Sequence, residues 1–86
     1  MQPTLPFWFR QRQGKIEAVE TDLYRVTAPN LAEYFLGIRQ GANNLWAGFL
    51  RREAKGPDLA HTEPRFTTPN DAWDAAFELL RTWVVT

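Results

Sequence analysis

Cysteine is absent from this 86-residue sequence, which removes disulfide frameworks, thiolate catalysis and zinc sites of the thiolate type. Histidine occurs once, at His61, so no pair of imidazoles exists to hold a metal within one chain, and the reading includes no metal and no cofactor. Net charge is also absent: ten basic residues balance ten acidic ones. That balance argues against general polyanion binding but leaves room for a local basic patch. Long apolar runs are missing. Pro3, Pro6, Arg10 and Arg12 interrupt Leu5, Phe7, Trp8 and Phe9, so the N-terminal region reads as neither a signal peptide nor a membrane span, and a cytoplasmic location is the expectation. The glycines at 14, 37, 41, 48 and 56 form neither a dinucleotide-binding nor a Walker phosphate loop. None of the four asparagines stands in an Asn-x-Ser/Thr pattern.

What is present is apolar and aromatic. The chain is 44% hydrophobic and 14% aromatic with four tryptophans, a composition that folds rather than stays disordered. Its length makes one domain, residues 1–86, whose core is marginal unless well packed or shared with a partner. Residues 1–6, with two prolines, read as an extended arm.

The clearest local signal lies near the C-terminus. Thr68 is a natural N-cap, Pro69 suits the first helical position, and Asp71 sits where a capping-box side chain reaches back. Trp73, Ala76, Phe77, Leu80 and Val84 then fall on one stripe, predicting an amphipathic helix from Pro69 to about Val84. The rest reads as strand. Phe7 to Arg12 is taken as a short strand turning at Gln13-Gly14-Lys15 into a second at Ile16 to Glu20. Leu23 to Ala28 alternates, with Tyr24, Val26 and Ala28 on one face, and ends at Pro29-Asn30. Residues 31 to 40 fit a helical template at Leu31, Tyr34, Phe35 and Ile38. Gly37 inside the segment and a turn-rich Gly41-Ala42-Asn43-Asn44 after it favour a strand. Leu45 to Glu53 is a strand and Lys55 to Asp58 a turn. Leu59 to Phe66 is a last strand that Pro64 pushes to an edge or a bulge. The expected fold is α+β: an antiparallel sheet of about four strands with the C-terminal helix on one face. A strand meander followed by a helix opening Thr68-Pro69-Asn70-Asp71-Ala72-Trp73 resembles, in topology, small bacterial strand-strand-strand-helix domains, DNA-binding modules among them. No functional residue carries over from that likeness.

Residues 45 to 50 are apolar on both parities, with Leu45, Ala47 and Phe49 on one side and Trp46, Gly48 and Leu50 on the other. Such a strand wants cover on both faces. Four strands span about 19 Å, whereas a helix with its side chains is about 10–12 Å across. The second face must therefore meet the N-terminal arm, a partner protein or a second copy. This points to a non-enzymatic module that binds a protein partner or forms a homodimer through an aromatic-rich sheet face. Trp8, Phe9, Arg39, Trp46, Arg51 and Arg52 are the expected contacts, because Trp and Arg dominate interface hot spots.

Two alternatives compete. Nine basic and seven acidic residues precede the helix, and aromatics interleave with arginines, so Arg25, Arg39, Arg51 and Arg52 could serve a nucleic-acid-binding sheet. More weakly, His61 near Asp58, Thr62 and Glu63 could centre an enzyme. An ordinary surface ion pair accounts for that spacing equally well. Asp71, Asp74 and Glu78 lie at helical spacing, but early acids also simply complement the helix dipole.

Overall fold

The computed structural model describes residues 3–85 and turns the alternating segments into one five-stranded antiparallel sheet followed by a helix. The strands are β1 (Lys15–Glu20), β2 (Leu23–Ala28), β3 (Leu31–Gln40), β4 (Trp46–Arg51) and β5 (Asp58–His61). They lie side by side in chain order, so each pairs with its sequence neighbour. The sheet thus has five strands rather than about four, and residues 31–40 are strand as expected. Asn30, Asn43 and Asn44 take left-handed φ values of 63°, 61° and 60° in the connections, the conformation that asparagine tolerates best after glycine. The last strand lies at the sheet edge, as Pro64 suggests, but ends at His61 rather than at Phe66. The chain nevertheless stays beside β4 as far as Phe66, whose carbonyl accepts from the Trp46 N–H at 2.7 Å.

The N-terminal element differs from the expectation. Phe7 to Arg12 is not a strand; Phe7–Gln11 forms a short helix, α1, entered from extended Pro6. Its C-terminus is a Schellman closure: Gln13 N–H donates to the Arg10 carbonyl at 3.0 Å and Gly14 N–H to the Phe9 carbonyl at 2.9 Å. Gln13 supplies the left-handed residue, at φ 58°. The helix exists to deliver Phe9, which is fully buried. Its ring packs so closely over Gly14 that a Cβ there would stand 2.4 Å from it.

The C-terminal helix, α2 (Pro69–Val85), starts at Pro69 behind a Thr68 cap as the sequence predicts, with Asp71 N–H donating to Thr68 Oγ1 at 3.2 Å, but the Asp71 side chain makes no return bond among the described residues. Ala72, Trp73, Ala76, Phe77 and Leu80 are buried against Tyr24, Val26, Leu36, Ile38 and Leu50 of the sheet. Gly48 lets the helix sit directly on β4, since a Cβ at that position would be 2.8 Å from the Ala72 carbonyl oxygen. α2 lies over β3, β4 and the near part of β5, and Trp73 meets Tyr24 of β2 edge to face at 5.4 Å. Phe9 completes the layer beside Phe77, with ring centroids 5.4 Å apart. The N-terminal segment therefore folds onto the same face as α2, with Pro3 buried and Leu5 half-buried. Met1 and Gln2, the start of the expected arm, lie outside the described residues. No helix among the described residues is long and apolar enough to cross a membrane.

Candidate functional site

Because the N-terminal segment and α2 share one face, no element among the described residues covers the other. Strand register shows which side chains stand there. Leu23 is opposite Gly37, Gly37 opposite Phe49, and Phe49 opposite His61. One step along, Arg25, Phe35, Arg51 and Asp58 are aligned across the same four strands. Directly opposed residues share a face, so this uncovered face carries aromatic, basic and acidic groups together.

Its centre is Phe49, only 5% exposed although no element lies above it. Its ring lies across Gly37, where a Cβ would come within 2.2 Å. From above it is roofed by two guanidinium groups, Arg51 at 4.3 Å and Arg39 at 4.9 Å from the ring centroid. The apolar surplus expected on this face is thus largely hidden under arginine side chains, which pack their stems and stack their planar heads on aromatics.

Asp58 holds that roof in place. Its Oδ2 accepts from Arg39 Nη2 at 2.7 Å and its Oδ1 from Arg51 Nε at 2.8 Å. Arg51 also donates to the Ala54 carbonyl at 3.1 Å. Partial burial disfavours the Asp58 carboxylate, but the two arginine hydrogen bonds and their charges outweigh it and keep the carboxyl below its ordinary value. Two guanidinium groups share one carboxylate, so the cluster keeps one positive charge.

Beside the roof is a shallow depression of about 380 Å³. It is lined by Arg39 and Arg51, by Glu20 at the end of β1 with Thr21 and Asp22 of the turn after it, and by Leu23, Ile38 and Phe49. Glu20 and Asp22 have no ion-pair partner among the described residues.

The residues anticipated as contacts separate into three groups. Arg39 and Arg51 meet over Phe49 on the open face. Arg52 stands apart, over the Tyr34 ring at 5.1 Å with Nη1 donating to the Glu33 carbonyl at 3.1 Å. Phe9 is a core side chain with no exposed surface, a correction whose cause is α1. Trp8 and Trp46 are half-buried and pack against that same helix-side core. The residues that shape the open face but were not anticipated are Phe49, Asp58, Glu20 and Asp22. An alternating register places Phe49 opposite Gly37, and that pairing was the available signal.

Arg25 donates to Glu17 Oε1 at 2.6 Å and lies 3.5 Å from Glu33 Oε2. All four arginines of the nucleic-acid reading are therefore engaged with acceptors of the chain itself. His61 Nδ1 lies 3.9 Å from Asp58 Oδ2, beyond hydrogen-bond reach, and that carboxylate already serves two arginines. The Thr62 hydroxyl accepts from Gly48 N–H at 3.0 Å. Comparison with known proteins adds no relative: no family model, no curated protein and no solved structure matches the chain.

Proposed function

We propose that this chain is a non-enzymatic binding module whose working surface is the uncovered sheet face, with Arg39, Arg51, Phe35 and Phe49 at its centre and a protein as its partner. The observation that carries this reading is that, among the described residues, no second layer covers a sheet face whose middle is built from aromatic rings and arginines. That combination is enriched at protein interfaces, where a planar guanidinium on an aromatic ring offers area and hydrogen bonds together. Nucleic-acid binding is less well supported, because Glu17, Glu33 and Asp58 neutralise most of the positive charge of Arg25, Arg39 and Arg51, whereas a polyanion needs several uncompensated cations. Glu20 and Asp22 moreover add negative charge beside the Arg39–Arg51 pair.

A fluorescence-anisotropy titration with labelled single- and double-stranded oligonucleotides, at low and at physiological salt, separates the two readings. The expected outcome is no saturable binding at either salt concentration. Tight binding that weakens steeply with salt, the signature of counterion release, would replace the protein-binding reading with the nucleic-acid one.

A further inference from the structure

We infer that the partner of the open face is a second copy of this chain, docked face to face about a two-fold axis. This rests on the reading of that face as a protein-binding surface and names its occupant. Charge is segregated around the depression; elsewhere on the face Arg25 is matched by Glu17 and Glu33. Glu20 and Asp22, unpaired, stand at the β1–β2 turn, while Arg39 and Arg51, with a residual positive charge, stand on β3 and β4. Apolar Leu23 and Phe49, each 5% exposed, lie between. A patch whose charge changes sign across an apolar centre becomes its own complement after a two-fold rotation. With the axis parallel to the strands between β2 and β3, the acidic turn of each protomer comes over the arginine pair of the other. The levels along the strands agree: Glu20 is opposite Leu23, in register with Phe49, and the two arginines flank Phe49 on either side.

Other occupants fit less well. A polyanion would meet the Glu20 and Asp22 carboxylates in the same depression. Edge-to-edge association is obstructed on both sides: β1 is broken by a bulge between Ala18 and Glu20 and carries Lys15, Glu17 and Glu20, while β5 has four residues and is followed by Pro64. The face itself measures roughly 24 Å across five strands and about 20 Å along six residues. This is near 480 Å² per protomer, below the ~800 Å² of a standard interface, so the dimer is a weak and reversible one.

Sedimentation velocity over a range of concentrations tests this with three proteins. They are the wild type, Arg39→Glu, and the double variant Glu20→Lys/Asp22→Lys, whose turn residues are exposed and unpaired, so that its fold is not at risk. The wild-type mass should rise from 10.0 kDa towards twice that value with concentration. Each variant should associate at least about tenfold more weakly, because like charges then face each other. An equimolar mixture of the two variants should recover wild-type association, since one contact is then the native pairing and the other a reversed but still complementary one. A wild type that stays monomeric at every concentration overturns the self-pairing, as does a dimer that the charge reversals leave unchanged. Neither result touches the protein-binding reading, which falls separately if the oligonucleotide titration shows salt-sensitive binding.

Discussion

At the scale of single residues, Asp58 organises the open face, and it is the residue whose role was least visible beforehand. It follows Gly56-Pro57 and reads as part of a turn, yet it starts β5 and gathers Arg39 and Arg51 from two other strands. Nothing local signals a carboxylate shared between residues that are distant in sequence. Because folding depresses the Asp58 pKa, its contribution to stability is complete above the unfolded value of about 3.8 and is lost as pH falls through the lower folded value. Asp58→Asn should therefore destabilise the protein by about 1–2 kcal/mol at neutral pH, the range for charge-assisted hydrogen bonds with some solvent access. The difference should shrink below about pH 4. Denaturant melts of both proteins at pH 7 and pH 3 measure it, and an equal gap at the two pH values would contradict the assignment. Gln13 shows a second limit of local reading. The helix stop was masked because glutamine, not the adjacent Gly14, occupies the left-handed position.

At the scale of elements, much of the fold was legible because patterns and punctuation agreed. Tyr24, Val26 and Ala28 alternate before Pro29, and Thr68-Pro69 opens a helix whose stripe is the one buried. Phe7 to Arg12 was misread because Phe-Trp-Phe has strand propensity and five residues are too few to show a helical period. Its state is set by the tertiary contact of Phe9 with Phe77. Gly48 marks where α2 and β4 come closest, and sequence alone could not say which partner required it. Gly48→Ala should cost about 1–3 kcal/mol, since the new methyl would stand 2.8 Å from the Ala72 carbonyl oxygen and 3.0 Å from Ala76 Cβ, so the helix must lift. A thermal or denaturant melt checks this. A neutral or stabilising result, as for a strand glycine with open space above it, would show that the helix does not sit so close.

At the scale of the whole molecule, the two faces of the sheet are finished by different means. The helix side is closed by two segments from opposite ends of the chain, and the open side by arginine side chains laid over one aromatic ring. The need for a second cover on this sheet could be read from residues 45 to 50. The arginine roof could not, because it depends on a three-strand register. The described residues have a Cα radius of gyration of 11.9 Å, close to the ~12 Å of a fully compact chain of this length. The N-terminal segment is accordingly part of the core rather than an appendage. A domain of this size has roughly 4–13 kcal/mol of stability, so a core aromatic is a large share of it. Phe9→Ala and Phe77→Ala should each cost about 3–5 kcal/mol, because both rings are buried and neither site can collapse fully. Their double variant should cost less than the sum by about 0.5–1.5 kcal/mol, the coupling of a ring pair in contact. Urea melts of the three variants measure this cycle. A Phe9→Ala protein within half a kcal/mol of wild type would mean that α1 is dispensable, and that the helix side of the sheet is sealed by α2 alone.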